Sequence, residues 1–204
     1  LVIIGAGTVG QFAASAALAL GVSVKVFDNS LFKLRRLQNE IGQKVFTSVI
    51  QPKVLEKALM RCDVAIGALS APQGRTPCIV SENVVKKMKS GSVIVDVSID
   101  KGGCFETSKI TTHQKPTFTK HDIIHYCVPN IGSRVSRTAS FSLSNIFSPL
   151  LIEISESGGC EKLIQFSKGF RHGVYIYNGT LTSSILGKAF NIPYKNLDLL
   201  ISAL

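Results

Sequence analysis

The sequence has 204 residues, of which 45% are hydrophobic and 18% are charged, and its formal net charge is +10. This composition can bury the core of a domain and excludes a disordered chain, and its aliphatic bias is typical of α/β proteins with buried parallel strands. A membrane-spanning helix needs an apolar run of about 18 residues, and since the sequence has none, we expect no membrane partner.

Strand-like and helix-like patterns alternate along the first part of the chain. The predicted strands cover residues 1–4, 22–27, 44–47, 63–69, 92–97 and 123–128. The predicted helices cover residues 12–20, 31–41, 52–61 and 81–89. Pro52 opens the third helix and Ser81 caps the fourth. Alternation with short loops predicts a doubly wound parallel sheet of the α/β class.

The chain changes character after about residue 131. Residues 131–137 are rich in Gly, Ser and Arg, and a long mixed helix is predicted over residues 139–155, before Gly158 and Gly159. A strand over residues 174–177 and two short helices complete the pattern. We therefore expect one domain over residues 1–132 and a C-terminal helical segment over residues 133–204.

The sequence opens inside a buried strand, residues 1–4, with no basic region before it and no cleavage site after it. We therefore expect that this run is not a signal peptide. Because a folded domain rarely begins within its first buried strand, we expect the sequence to be a fragment of a longer protein.

Residues 5–10 read Gly-Ala-Gly-Thr-Val-Gly, the pattern GxGxxG, between a predicted strand and a predicted helix. Gly5 allows a tight turn, Gly7 lets the main chain approach a pyrophosphate, and Gly10 lets helix and strand pack closely. The N–H groups and partial positive charge at a helix N-terminus favour phosphate. This context predicts a Rossmann-type domain that binds a dinucleotide.

Asp28 closes the second predicted strand, about 20 residues after the glycines, where the fingerprint expects an acid. Its carboxylate would accept hydrogen bonds from ribose hydroxyls and repel a 2′-phosphate, which favours NAD over NADP. Lys33, Arg35 and Arg36 follow, and they either soften that preference or face solvent. The alternative interpretation is a glycine-rich turn with Asp28 as a helix cap.

Further polar residues lie where predicted strands end, the edge at which such sheets bind ligands. Asp100 is placed to face the nicotinamide and the substrate, Asn130 could offer its amide, and the main chain at Ala68 and Leu69 would pass along the cofactor. Asp96 is interpreted as a turn or hydrogen-bonding residue. His113, His121 and His125 are each interpreted as structural rather than catalytic.

Five widely spaced cysteines form no CxxC motif, which predicts reduced thiols in a cytoplasmic protein. We expect no metal site, since the pair His121 and His125 lacks an intervening Glu. The basic residues are scattered without interleaved aromatic residues, and Lys86, Lys87 and Lys89 fit a solvated helix face, so we expect no nucleic-acid partner.

Longer blocks of sequence resemble the alanine dehydrogenase and pyridine nucleotide transhydrogenase family over essentially the whole chain, and alanine dehydrogenases most closely. They are Asp63–Ala68, Lys87–Asp96, Asp96–Ser108, Thr111–His113, Pro116–Phe118 and His125–Asn130.

The resemblance implies reversible oxidative deamination of L-alanine to pyruvate and ammonia, in a subunit whose two domains flank a cleft and which assembles as a homo-oligomer, a hexamer. It assigns proton transfer at the imine and carbinolamine steps to Asp100, the nicotinamide side to Asn130, ribose binding to Asp28 and a basic contact to Lys33. Asp100 is thus the expected catalytic residue. The expected NAD contacts are Gly5, Ala6, Gly7, Thr8, Val9, Gly10, Asp28, Lys33, Ala68, Leu69, Ile99, Asp100, Val128 and Asn130.

Some positions depart from the family pattern. Pro129-Asn130-Ile131-Gly132 replaces a common Ala-Asn-Met-Pro, Ser136 replaces a proline, and Ile50 stands where a serine often contacts the adenosine. The family's substrate-binding Lys, His and Arg come from an N-terminal domain. We therefore expect this polypeptide to bind NAD without turning over alanine alone.

Two alternatives stay open. One is the NAD-binding domain of a proton-translocating transhydrogenase α subunit, which exchanges hydride between nucleotides and, by the pattern, lacks an acid at the position of Asp100. The other is a non-catalytic NAD-binding module, which the presence or absence of an upstream coding region would decide.

Overall fold

The computed structural model describes residues 1–71 and 74–202. The chain forms two compact units, Leu1–Ile131 and Gly132–Leu204.

The first unit contains a seven-stranded sheet in the order β3-β2-β1-β4-β5-β7-β6. Every neighbouring pair is parallel except β6 and β7, which are antiparallel. The order reverses beside β1, which is the topology of a doubly wound sheet. The strands are β1 Val2–Ile4, β2 Lys25–Phe27, β3 Phe46–Ser48, β4 Val64–Gly67, β5 Val93–Asp96, β6 Thr117–Lys120 and β7 Ile123–Tyr126.

Four α-helices and a 3-10 helix connect these strands. They are α1 Thr8–Ala19, α2 Leu31–Ile41, α3 Pro52–Leu59, α4 Glu82–Val85 and the 3-10 helix Val97–Lys101. Pro52 occupies the first turn of α3, as predicted. The predicted cap at Ser81 is wrong in its chemistry, because that side chain makes no capping hydrogen bond. The Glu106 carboxylate instead accepts the N–H of Glu82 at 2.6 Å.

Hydrophobic side chains cover both faces of the sheet because successive residues of a strand point to opposite sides. Val2 and Ile4 of β1 belong to one buried cluster, with Leu55 and Leu59 of α3. Ile3, between them, belongs to a second cluster. That second cluster also holds Val26 of β2, Ala14 of α1, and Leu34 and Leu37 of α2. Burial on both faces confirms the predicted doubly wound, Rossmann-type α/β fold.

The antiparallel strand β6 was not predicted from the sequence. It offers one large apolar residue, Phe118, and its turn to β7 uses His121 and Asp122 in the left-handed region, with φ of 54° and 59°. Such turns are usually marked by Asn-Gly or Gly-Gly, so His121 and Asp122 carry no hairpin signal. Phe118 stacks on its cross-strand partner His125 with ring centroids 4.7 Å apart.

His125 has a structural position inside β7. Its Nδ1 lies 3.0 Å from the Ile123 carbonyl, so Nδ1 carries the proton, and Nε2 accepts the Thr107 hydroxyl at 2.8 Å. Burial lowers the pKa of His125, which favours the neutral imidazole that these contacts require.

Unit 2 is mostly helical. A second 3-10 helix, Ile131–Val135, comes at its start in sequence. The elements that follow are α5 Ser136–Glu156, α6 Cys160–Phe166, α7 Lys168–Arg171, β8 Ile176–Tyr177, β9 Thr180–Leu181, α8 Ser184–Phe190 and α9 Leu197–Ser202. A small core forms around Ile164, Tyr177 and Leu197. No residue of α5 is buried, although this helix carries Phe141, Ile146 and other large apolar side chains.

Candidate functional site

The loop between β1 and α1 forms the first part of the candidate site. Gly5 has φ of +118°, a value that favours glycine, and its N–H donates to the Phe27 carbonyl at 2.7 Å. Gly7 occupies the N-cap position of α1 without a side-chain cap, and Thr8 and Val9 beyond it are exposed. Because a helix leaves its first N–H groups without partners inside the helix, this end can receive an anion.

The three glycines differ in what a side chain would meet. A Cβ on Gly5 would collide with the Ala68 carbonyl, and a Cβ on Gly10 would collide with the Gly5 carbonyl and come within 3.4 Å of the Ile3 side chain. A Cβ on Gly7 would meet nothing within 4 Å. Gly5 and Gly10 are therefore required by the fold itself, whereas the space in front of Gly7 is open to a ligand.

Asp28 follows β2 and is only 5% exposed. Its Oδ2 accepts the N–H of Ala6 at 2.8 Å, and its Oδ1 accepts the N–H of Ser30 at 2.8 Å. Ser30 in turn caps α2 by accepting the N–H of Lys33. The carboxylate therefore joins the end of β2 to the glycine loop, a structural role beyond the ribose contact expected from the sequence.

Two adjoining cavities open at this edge of the sheet, and both are lined by Leu69 and Ser70. The larger, of about 450 Å³, is also lined by Asp28, Asn29, Ser30, Lys33, Ile50, Ala71, Pro77 and Ile79. The smaller, of about 220 Å³, is also lined by Val9, Ala68, Val97, Ser98, Asp100 and Lys101. Together they reach from the end of β2 to the end of β5.

Asp100 and Asn130 are brought together, as their places after β5 and β7 suggested. The main-chain N–H of Asn130 donates to Asp100 Oδ1 at 2.7 Å, and Asn130 adopts a left-handed conformation with φ of 52°. Asp100 is exposed and lines the smaller cavity. The contact that Asn130 makes here is through its main chain rather than the side-chain amide considered from the sequence.

Asp96 is the fully buried acid that organises the segment after β5. Its carboxylate accepts the N–H groups of Ser98 at 3.0 Å and Cys104 at 2.9 Å, and the hydroxyl of Ser108 at 2.7 Å. A longer contact of 3.4 Å comes from the N–H of Phe105. Burial raises the pKa of Asp96, and these hydrogen bonds oppose that rise. Since every one of these groups donates, the arrangement satisfies the ionised form.

Some predicted contact residues do not face the cavities. Ile99 is 4% exposed, Val128 is 3% exposed and Ala6 is fully buried, and within the described residues none of them lines either cavity. Any contact that they make with a ligand would come from the main chain. Lys33 and Ile50 do line the larger cavity, so the position at which the family often has serine is apolar here.

The sequence analysis did not predict Ser98 and Lys101 as site residues, although both line the smaller cavity. The Ser98 hydroxyl donates to the Leu69 carbonyl at 3.0 Å, and Lys101 Nζ lies 3.2 Å from the Ala71 carbonyl. Both residues flank Asp100 directly after a buried strand, and that position could have marked them.

Charged residues elsewhere in the first unit pair with one another. Lys87 pairs with Glu56 at 2.6 Å and Lys89 with Asp63 at 2.8 Å. The helix face predicted for Lys86, Lys87 and Lys89 is wrong, because α4 ends at Val85 and these lysines follow it. Hydrogen bonds from His121 and Lys120 lower the pKa of Glu82 to about 2.

Neither a metal-binding cluster nor a membrane-spanning helix is present within residues 1–71 and 74–202. This part of the chain contains no cluster of three or more His, Cys, Asp or Glu side chains placed to hold a metal ion. It also contains no helix that is long and apolar enough to cross a membrane. A cavity of about 350 Å³ in unit 2 is lined by Leu150, Ser167, Gly169, Phe170, Gly173 and Val174.

Comparison with known proteins identifies the family. The model of the alanine dehydrogenase/PNT C-terminal domain matches residues 1–184. The chain belongs to this family. The resemblance inferred from the sequence is thereby confirmed.

Individual relatives agree with that family. An alanine dehydrogenase of Mycolicibacterium smegmatis is 38% identical over 196 residues, which are 96% of this chain and 53% of that protein. A solved L-alanine dehydrogenase structure matches with a TM-score of 0.85 and 33% identity, over 93% of this chain and 52% of its own. A transhydrogenase from Sinorhizobium meliloti, at 19% identity and a TM-score of 0.68 over 90% of this chain and 49% of its own, shares the fold. The chain spans about half the length of the curated relatives that it matches.

Replacing Asp96 with alanine should strongly destabilise the first unit. The substitution leaves several buried donors without an acceptor, at about 1–3 kcal/mol each, so we expect the free energy of unfolding to fall by about 3 kcal/mol or more. Urea denaturation followed by circular dichroism measures this change. Ser108→Ala, which removes one of the donors, should have a smaller effect.

The matched control for Asp96 is Asp63→Ala. Asp63 is an exposed acid whose partner is Lys89, and its removal should leave the urea midpoint unchanged. Equal midpoints for Asp96→Ala and the control would contradict the organising role of Asp96.

Proposed function

We propose that the chain is the NAD-binding part of an alanine dehydrogenase, which interconverts L-alanine with pyruvate and ammonia. The observation that carries this proposal is the 2.8 Å hydrogen bond between the Ala6 N–H and the Asp28 carboxylate. It fixes the glycine loop, where a pyrophosphate would lie, beside the acid that would hold a ribose.

The residues present fit a dinucleotide. Gly7 has open space in front of it, and the larger cavity, of about 450 Å³, lies in the size range of ligand pockets. The smaller cavity, of about 220 Å³, shares Leu69 and Ser70 with it and extends the space. Each Asp28 oxygen accepts one main-chain N–H. A carboxylate can accept about four hydrogen bonds, so Asp28 could bind ribose hydroxyls while keeping both existing bonds.

Charge at the larger cavity favours NAD over NADP. A 2′-phosphate would approach the buried Asp28 carboxylate, and its repulsion would be weakly screened there. Lys33 lines the same cavity and offsets part of that repulsion. We therefore expect a preference for NAD, carried by Asp28.

Asp100 is the proposed catalytic residue. When bound, NAD accepts a hydride from the Cα of the amino acid. The Asn130 N–H holds one oxygen of the Asp100 carboxylate at the mouth of the smaller cavity, and the carboxylate keeps the capacity to take or return a proton during deamination. Val9 and Ala68 give the cavity apolar walls, which limit water near the reacting atoms.

The second branch of the family offers the alternative of hydride exchange between nucleotides. Two observations favour the amino-acid reaction. The acid Asp100 stands at the position where the transhydrogenase pattern lacks one, and the curated relatives at 36–38% identity are alanine dehydrogenases. The transhydrogenase likeness, at 19% identity, supports the fold only.

The proposal also covers the cellular compartment and the oligomeric state of the whole protein. Free thiols at all five cysteines suit a reducing compartment, so we infer a cytoplasmic protein. We infer a homo-oligomer, a hexamer by family resemblance. The exposed apolar side chains of α5 are consistent with burial against another protein surface.

Replacing Gly7 with alanine should separate cofactor binding from folding. The new methyl group meets no protein atom within 4 Å, and Gly7 has φ of −78°, so stability should not change. The methyl group would, however, occupy the space through which a pyrophosphate approaches the main chain. We expect the NADH dissociation constant, measured by fluorescence titration, to rise by about tenfold or more, a loss of about 1.4 kcal/mol.

The matched control for Gly7→Ala is Gly132→Ala, which also meets no atom within 4 Å and needs no left-handed conformation. It should bind NADH like the unmodified chain. Equal affinities for the two variants would remove the support for binding at the glycine loop.

Replacing Asp100 with asparagine should remove the proton-transfer group while keeping an oxygen for the Asn130 N–H. In the protein that carries this sequence, we expect alanine-dependent reduction of NAD to fall by about 100-fold or more, with NADH affinity within about twofold. Asp122→Asn, at an exposed hairpin turn, is the control and should keep full activity. Hydride exchange between nucleotides that needs no amino acid and survives Asp100→Asn would instead support the transhydrogenase alternative.

A further inference from the structure

Lys101 is bonded at both of its ends to the segment that follows β4. Its main-chain carbonyl accepts the N–H of Thr76 at 2.8 Å. Its Nζ lies 3.2 Å from the Ala71 carbonyl and 3.5 Å from the Ser70 hydroxyl. Main chain and side chain therefore hold two separate points of the same segment, one before and one after residues 72 and 73.

The turn Val97–Lys101 is fixed on two sides by these contacts. On the β4 side, the Ser98 hydroxyl donates to the Leu69 carbonyl at 3.0 Å, and Lys101 adds its bonds to Ala71 and Thr76. On the β7 side, the Asp100 carboxylate accepts the N–H of Asn130. Asp100 thus lies between two anchors, and Lys101 is the charged member of the anchor on the β4 side.

The Lys101 ammonium also contacts residues that line the two cavities. Ser70 lines both cavities, Ala71 lines the larger one, and Lys101 itself lines the smaller one. The bond from Lys101 to Ala71 therefore limits the distance between the segment after β4 and the 3-10 helix that carries Asp100. A charged donor makes a stronger hydrogen bond to a carbonyl than a neutral donor does, although solvent exposure limits its strength here.

We propose that Lys101 is a positioning residue that shapes the smaller cavity for the nicotinamide half of the cofactor. This inference rests on the proposed function. The adenosine half would lie in the larger cavity beside Asp28, and Lys101 would not contact it directly. Loss of the ammonium should therefore weaken the binding of the whole dinucleotide more than that of a ligand that contains only the adenosine half, which Lys101 affects only through Ser70 and Ala71.

The test compares NADH with ADP as probes of the unmodified chain and of Lys101→Met, by fluorescence titration for NADH and calorimetry for ADP. Methionine keeps an unbranched apolar stem and removes the donor. We expect the NADH dissociation constant to rise about three- to tenfold, as the loss of one hydrogen bond implies, and the ADP dissociation constant to stay within about twofold. Lys101→Arg should restore NADH binding, and Lys53→Met, at an exposed lysine of α3, should change neither constant.

Three other outcomes of these titrations would overturn different parts of the proposal. Unchanged NADH affinity in Lys101→Met would overturn the role of Lys101 while leaving NAD binding intact. Equal losses for NADH and ADP would also overturn it, since they would show a general structural role. If the unmodified chain bound neither probe, the proposed function would fail, and the role of Lys101 would fail with it.

Hydrogen exchange supplies a readout that does not depend on a ligand. The Thr76 amide donates to the main-chain carbonyl of residue 101, which Lys101→Met keeps, so its protection should stay unchanged in that variant. Loss of this protection would show that the substitution disrupts the main chain of the segment, a general structural effect that would overturn the positioning role.

Discussion

The hydrogen bond from the Ala6 N–H to the Asp28 carboxylate joins the two features on which dinucleotide binding would depend. The bond from the Gly5 N–H to the Phe27 carbonyl also ties the loop after β1 to the end of β2, and the bond from Ala6 adds the link to the acid itself. With it, the buried Ala6 N–H is satisfied and the loop is held in shape before any ligand arrives. Binding can then proceed with little ordering of the loop, and preorganisation of this kind improves affinity.

A second buried carboxylate has the corresponding role after β5. Asp96 accepts hydrogen bonds from main-chain N–H groups and a hydroxyl group in the segment up to Ser108. These bonds hold the 3-10 helix that carries Asp100 and Lys101. Three acids at one edge of the sheet have two different roles. Asp28 and Asp96 hold main chain in place, while Asp100 remains exposed and available for chemistry.

The sequence predicted the fold because its signals are local. Apolar runs, Pro52 and the GxGxxG pattern each act within a few residues, and all of them agree on alternating strands and helices. Strand β6 was missed because its turn at His121 and Asp122 lacks glycine, and the cap at Ser81 was wrong because Glu106, distant in sequence, satisfies the helix instead. The contacts of Asp96 and Lys101 likewise join segments that only the folded chain brings together.

The most direct test of the central claim is calorimetric titration of the chain with NAD and with NADP. We expect a single NAD site, with NADP binding at least about tenfold more weakly because its 2′-phosphate would meet the Asp28 carboxylate. The absence of NAD binding would rule out the proposed dinucleotide site. NADP binding as tight as NAD, or tighter, would contradict the role given to Asp28.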